Sequence, residues 1–338
     1  MTHLLQRRQC LAGLGGLLVA GLGMRTALAS PAVHRESRVL MGTRVDIVAQ
    51  GDAPRATATA VQAAFAEMQR LERMMSRYRA DSLVSAMQRS AGRGLVQAPP
   101  ELVAVLQRAA ELSRLSEGAF DITVGAYHGW SFDPQDARVP APEDLRRERR
   151  LVDFRDVLID PETGQAGLSR PGMRIDLGGV AKLPILQAGL RVLEQHGLRH
   201  AMVNGGGDVL TRGQLQGQDW RVGVRDPRTP ERLIGTVQVR DACVASSGDY
   251  ERCFERNDRR YHHLLDPRTG MPSRGMRGVV TVSRQSDLVN GLGAAIMVAG
   301  AAAGQHLLAP LRGVDSLMVD ASAKVLTTGR MGERLQAA

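Results

Sequence analysis

Lysine is almost absent from this chain. Of its 44 basic residues, 42 are arginine, and only Lys182 and Lys324 carry an ammonium group. Aromatic residues supply 3% of the 338 positions, too few for the stacked-ring platforms that single-stranded nucleic acids use. The formal net charge of +9 would by itself suggest such a ligand. The arginines, however, are spread along the whole length beside abundant alanine and glycine, and three of them (Arg7, Arg8, Arg25) lie in a segment expected to be removed, which leaves +6. Nucleic-acid binding is therefore not expected. No apolar run reaches the ~20 residues that a spanning helix needs. No internal repeat or low-complexity tract is present. Hydrophobic content of 43% and charged content of 23% exclude a collagenous, coiled-coil or disordered chain and fit an ordinary globular core.

The first thirty residues read as an address. Arg7-Arg8 precedes a short, glycine-rich apolar run from Leu11 to Met24, followed by Arg25 and Ala27-Leu28-Ala29. A charged start, an apolar middle and a small-x-small site make a secretory signal, expected to be cleaved after Ala29. The twin arginine, the weak hydrophobicity and the basic residue near the cleavage site favour twin-arginine export to the periplasm. Residues 1–29 are thus assigned to a signal peptide and 30–338 to one domain. No cysteine sits at the cleavage point to carry a lipid. Export would remove Cys10 and leave Cys243 and Cys253, either bridged, as that compartment permits, or simply small buried residues.

In the remaining chain, Met41–Ala49 alternates like a strand. Residues 54–78 place Val61, Phe65, Met68, Leu71, Met75 and Tyr78 at helical spacing, and a second helix opens at Pro99-Pro100 and stops at Gly118. Residues 133–150 are a polar surface excursion, and 180–196 a helix with Pro184 tolerated near its first turn. From 201 onward strands dominate, interrupted by a Gly/Ala-rich buried helix over Asp287–Ala299 and closed by a hairpin around Ala321-Ser322. The class is α+β, with mixed, largely antiparallel sheets packed with helices.

Four clusters carry chemistry: Phe120-Asp121-Ile122-Thr123; Ile175-Asp176-Leu177-Gly178-Gly179-Val180-Ala181-Lys182; Val203-Asn204-Gly205-Gly206-Gly207-Asp208; and Ala245-Ser246-Ser247-Gly248-Asp249-Tyr250 with the later Tyr261-His262-His263-Leu264-Leu265-Asp266-Pro267-Arg268-Thr269-Gly270. Glycines let backbone N–H groups approach anionic oxygens, and Lys182 adds a point charge for phosphate. His262 and His263 are candidate general bases. Neighbours on a strand point to opposite faces, so one of the two histidines is expected to be structural. Cys243, Cys253, His262 and His263 lack the spacing of zinc ligand pairs. No G-x-S-x-G elbow marks a hydrolase, and no Rossmann fingerprint is present.

At these residues the chain resembles the FAD:protein FMN transferases, the ApbE family. The resemblance runs from Met41 to about Gly300. It rests on MGT, SRY followed by DS, FDITVG, the pair Trp130 and Phe132, IDLGGVAK, VNGGGD, SSGDYER and YHHLLDPRTGMP, in family order. It implies a periplasmic enzyme that binds FAD, uses Mg²⁺, cleaves the diphosphate and leaves FMN in phosphoester linkage on a threonine of a partner, typically a membrane-bound electron-transfer protein. Twin-arginine export also suits the NosX-type members. Met41, Tyr78, Phe120, Asp121, Thr123, Asp176, Lys182, Gly206, Asp208, Ser247, Gly248 and Asp249 would line the flavin and diphosphate pocket. His263 would be the base, with His262 the alternative.

Two stretches depart from the family. Its Ala-Lys continues with Gly-Tyr, where this chain has Leu183-Pro184. Its Ala-Asp-Ala-Leu-x-Thr helix start, whose Asp and Thr bind the metal, corresponds here to Asn290 and Ala294. The implied metal positions are then Gly179, Asn290 and Ala294, with Asp287 one turn earlier as a substitute ligand. The alternative to an active transferase is an FAD-binding accessory or carrier protein with a degenerate metal site.

Overall fold

Alternation along successive strands gives the main sheet two buried faces. Val203, Leu210, Cys243, Val279 and Met318 point into one core, and Val209, Val244, Val280, Leu317 and Val319 point into another. In the computed structural model, which describes residues 32–257 and 259–337, this sheet has eight strands. In spatial order they are Ala32–Leu40, Thr43–Gly51, His200–Gly205, Asp208–Arg212, Cys243–Gly248, Met276–Ser283, Val314–Asp320 and Val325–Thr328. Spatial order equals chain order, and every pairing is antiparallel, in keeping with the largely antiparallel sheets expected from sequence. The signal peptide assigned to 1–29 lies outside the described residues.

The first core is shared with helices Pro54–Met75, Pro100–Leu115, Lys182–Gln195 and Leu292–Ala299. Val61, Phe65, Met68 and Leu71 recur at three- and four-residue steps on the first of these and are all buried. The second core is closed by a three-stranded sheet, Leu335–Ala337, Leu233–Val239 and Trp220–Arg225, whose Trp220, Val222, Val224, Val237 and Val239 face the main sheet. A small sheet of Val96–Gln97, Gln165–Leu168 and Val157–Asp160 and a hairpin of Cys253–Arg256 with Arg259–His262 complete the strands.

Three expectations need correction. The long helix ends at Met75, because Ser76 turns extended (ψ 124°), so Tyr78 belongs to the following loop. The strand expected over Met41–Ala49 starts only at Thr43, because Met41 (φ 54°) and Gly42 (φ 68°) form the turn from the preceding strand; the surface excursion at 133–150 carries the helix Pro142–Glu148, started by its proline and by Glu143 and Asp144 in the first turn. The helix expected over Asp287–Ala299 is two helices, Ser286–Val289 and Leu292–Ala299, broken where Asn290 turns extended and Gly291 takes a left-handed φ of 77°. Cys243 is buried in the main sheet and Cys253 lies in the hairpin, and both are free thiols.

Candidate active site

The glycine-rich clusters converge because their backbones touch. Asp176 N–H donates to the Ile122 carbonyl at 2.7 Å, which brings the FDITVG segment against IDLGG. Gly125 makes that contact sterically possible: a methyl there would sit 2.5 Å from the Ile175 carbonyl carbon and 2.8 Å from Asp176 N. Asp176 then ties two further pieces. Its Oδ1 accepts from Gly178 N–H at 2.8 Å, and its Oδ2 accepts from Arg77 at 2.7 Å. Asp208 plays the same part on the other side. One oxygen accepts from Ser246 N–H at 3.0 Å and the other pairs with Lys182 Nζ at 2.9 Å.

These ties enclose a cavity of about 630 Å³ lined by Met41, Tyr78, Phe120, Asp121, Asp176, Gly178, Gly179, Lys182, Gly206, Asp208, Ser247, Gly248 and His263. Gly178, Gly179 and the start of helix Lys182–Gln195 border it together, and no side chain caps that helix. Glycine turns, unpaired helix N–H groups and a lysine in one cavity form a cradle for a phosphate or diphosphate. At the rim, Tyr78 exposes 73% of its surface, with the Arg77 guanidinium 5.3 Å from the ring centroid. Such a ring can stack on a planar heterocycle.

The two histidines separate, as expected, although only His262 lies in the strand and His263 is in the bend that follows. His262 ends the hairpin strand, is 3% exposed and meets the Ser273 carbonyl at 2.9 Å through Nε2, so it is a packing residue. His263, one residue on, lines the cavity, and its Nδ1 is buried with no hydrogen-bond partner among the described residues. Burial, reinforced by the charge of Arg252, pushes its pKa down to about 4, so the ring is neutral near pH 7 and able to accept a proton. The loop that follows is pinned from across the cavity. Trp130 Nε1 donates to the Gly270 carbonyl at 2.9 Å, and the Tyr127 hydroxyl donates to the Pro267 carbonyl at 2.8 Å. Trp130 and Phe132 stack at 5.3 Å, Phe254 and Tyr261 at 5.1 Å, and the pairs touch each other, fixing the hairpin that leads to His263.

Several expected site residues stand elsewhere. Thr123 is fully buried and does not line the cavity. Its hydroxyl donates to Asp121 Oδ1 at 2.6 Å and so orients a carboxyl that does. Burial outweighs these hydrogen bonds and raises the Asp121 pKa to about 6. Asp249 is also off the cavity wall, paired with Arg260 at 3.1 Å. Asp287 is exposed and away from the cavity. Asn290 is 3% exposed, and its Nδ2 donates to the Val180 carbonyl at 2.9 Å. Gly179 and Ala294 do face the cavity, but Ala294 offers only a methyl. The residues therefore do not fit a resident Mg²⁺: an amide N–H holds the carbonyl beside Gly179, and the expected pair of Asn290 and Ala294 is split by the break at Gly291. Among the described residues no cluster of three His, Cys, Asp or Glu side chains could hold a metal ion. Residues not anticipated on the wall include Arg77, Leu183 and Arg252. Arg77 and Arg252 lie inside the SRY and SSGDYER motifs, whereas Leu183 is the apolar departure from the family and lies 4% exposed at the helix start.

A phosphate-cradling cavity with a neutral histidine on its wall and an exposed ring at its mouth fits a group-transfer protein for phosphorylated heterocycles. The comparisons with known proteins agree. The model of the ApbE family matches residues 41–319, and the chain belongs to this family. An FAD:protein FMN transferase of Treponema pallidum is 30% identical, covering 94% of this chain and 93% of that protein. One from Klebsiella pneumoniae is 32% identical over 74% of this chain. The crystal structure of the ApbE protein of Thermotoga maritima superposes with a TM-score of 0.81 at 28% identity, covering 90% of this chain and all of that one.

Proposed function

We infer that this chain is an FAD:protein FMN transferase. The observation that carries the reading is the placement of His263 on the wall of the same cavity as the Gly178-Gly179 turn, Gly206 and Lys182. FAD would lie with its diphosphate against these glycines and Lys182 and its ring system near Tyr78. An acceptor threonine hydroxyl attacks the phosphorus of the FMN half. The new Oγ–P bond forms as the bond to the AMP half breaks, AMP leaves with the electron pair, and the threonine proton passes to His263. The carboxylates that hold Arg77 and Lys182 keep both cations in place before substrate arrives, which is the electrostatic pre-arrangement that phosphoryl transfer needs.

Magnesium, which the family resemblance implies, enters no step here, because Asn290 and Ala294 do not supply its ligands. That same departure favours a second reading, an FAD-binding accessory protein with little turnover. One experiment separates them: incubate the purified chain with FAD and a threonine-containing acceptor protein, with and without Mg²⁺, and weigh the acceptor. A mass gain equal to esterified FMN supports transfer. Tight FAD binding with no gain supports the accessory role, and no FAD binding rejects both. Export by the twin-arginine route, a periplasmic location and a membrane-bound electron-transfer protein as acceptor belong to the same proposal. Arg7→Lys with Arg8→Lys is expected to retain the protein in the cytoplasm, and normal export of that variant would reject the route. No helix among the described residues is long and apolar enough to cross a membrane.

A further inference from the structure

Four side chains bring a permanent positive charge to the cavity wall: Arg77, Arg138, Lys182 and Arg252. Three are already matched, Arg77 by Asp176 at 2.7 Å, Lys182 by Asp208 at 2.9 Å and Arg138 by Asp136 at 3.2 Å. Arg252 differs. Among the described residues no carboxylate lies within 4.0 Å of its guanidinium. It is also tied to the reacting centre through the backbone, since its carbonyl accepts from His263 N–H at 3.1 Å. Its charge reaches the His263 ring more strongly than that of Lys182 does. Arg252 is exposed on the cavity wall, so its guanidinium is open to an anion that comes from outside.

The rest of the site makes the same demand. The doubly charged diphosphate of FAD needs compensating charge, and the positions from which a bound cation could supply it hold an amide and a methyl. A guanidinium is suited to the task, because its fixed fork of N–H groups matches two phosphoryl oxygens at once. We propose that Arg252 is a further diphosphate-binding residue of this site, its guanidinium holding the phosphoryl group that is attacked beside His263. The proposal rests on the flavin-transfer reading above. Arg252 exchanges no proton: the threonine proton still goes to His263 and the electron pair still leaves with AMP. The guanidinium gains strength as charge builds on the transferring oxygens.

The test compares Arg252→Ala and Arg252→Lys with the natural protein in two assays, equilibrium binding of FAD and of riboflavin by flavin fluorescence, and single-turnover release of AMP. Riboflavin lacks the diphosphate, so a residue that acts only on phosphate leaves its affinity unchanged. Loss of a charge-assisted contact predicts FAD binding weakened roughly ten- to hundredfold in Arg252→Ala, with riboflavin binding intact and AMP release slowed at least as much. Arg252→Lys keeps the charge without the fork and is expected to recover part of the FAD affinity. FAD affinity and AMP release both unchanged in Arg252→Ala would overturn the proposal, as would equal losses for FAD and riboflavin in both variants. Failure of the natural protein to bind FAD would instead overturn the underlying reading together with the proposal, so the two failures are distinguishable.

Discussion

Asn290→Asp is the most informative single substitution. In the natural protein the Asn290 amide, 3% exposed, donates to the Val180 carbonyl at 2.9 Å, and its own backbone carbonyl faces the Arg108 guanidinium at 3.4 Å. The substitution replaces the donor by an acceptor, so two oxygens face each other in a buried place. Leaving a buried carbonyl unpaired costs about 1–3 kcal/mol. A buried carboxylate without a partner adds to that, bounded by the ~3–5 kcal/mol typical of broken buried pairs, and it lowers its own cost by taking up a proton at ~1.4 kcal/mol per pKa unit. The variant is therefore expected to lose about 3–5 kcal/mol in EDTA. A divalent cation bridging the new carboxylate and the Val180 carbonyl would reverse much of this, by ~2.7 kcal/mol at a hundred times its dissociation constant. The assay is denaturant unfolding of both proteins in EDTA and across a Mg²⁺ titration. The expected pattern is a natural protein indifferent to Mg²⁺ and a variant whose midpoint rises with it; adding Ala294→Thr should steepen the rise by supplying a hydroxyl. A natural protein already stabilised by millimolar Mg²⁺, or a variant as stable as the natural protein in EDTA, would refute the reasoning.

Three further outcomes follow, two from the lowered pKa of His263 and one from the close contact at Gly125. With the pKa of His263 held at about 4, FMN transfer should stay near its maximum down to about pH 5 and fall with an acid limb near 4 rather than 6.5; a limb at 6.5 would show a solvated ring or another base. The same depression makes the unfolded chain bind more protons between pH 6.5 and 4, so His263 contributes a loss of stability of about 3 kcal/mol as pH falls through that window, and His263→Ala should flatten this slope while sparing FAD affinity. Gly125→Ala would force the new methyl 2.5 Å from the Ile175 carbonyl carbon, and separating the segments breaks the Asp176 N–H bond to Ile122. The combined cost is about 2–4 kcal/mol, with FAD affinity falling too because Asp176 carries Arg77 and Gly178 with it, and an unchanged unfolding midpoint would reject the close contact.

Much of the fold was legible because its signals are local. The step of three or four residues through Val61, Phe65, Met68 and Leu71, the alternation in Trp220–Arg225, and Gly118 after the second helix each report on their own neighbourhood. The misreadings came where a local signal met a distant partner. Asp287–Ala299 is mostly apolar and rich in glycine and alanine, as a buried helix can be, yet the amide of Asn290 is drawn to Val180 and Gly291 gives the bend its left-handed residue. The site divides in the same way. Glycines, Lys182 and the histidine pair announce a phosphate cradle from sequence, and the two-residue period of a strand already implies that His262 and His263 part company. Nothing local distinguishes Thr123, which orients Asp121 from behind, from a residue that faces the ligand.

The site's ties also explain why its residues carry two tasks at once. Arg77 and Asp176 are 99 positions apart, Asn290 and Val180 are 110 apart, and Trp130 and Gly270 are 140 apart, and each pair joins two motifs around one cavity. A side chain such as Asp176 is thus both a cavity wall and the brace that sets the Gly178 turn. Its removal would alter ligand affinity through either task, and affinity alone cannot apportion the loss. Arg252 carries no such second duty through its side chain, because no carboxylate among the described residues engages it. A loss on truncating it therefore reads out the ligand rather than the scaffold, and the contrast between FAD and riboflavin assigns that loss to the diphosphate. The same logic ranks the other cavity cations. Removing Lys182 or Arg77 strands a carboxylate within 3 Å and should change stability as well as binding, whereas removing Arg252 should change FAD binding and AMP release with little effect on the unfolding midpoint.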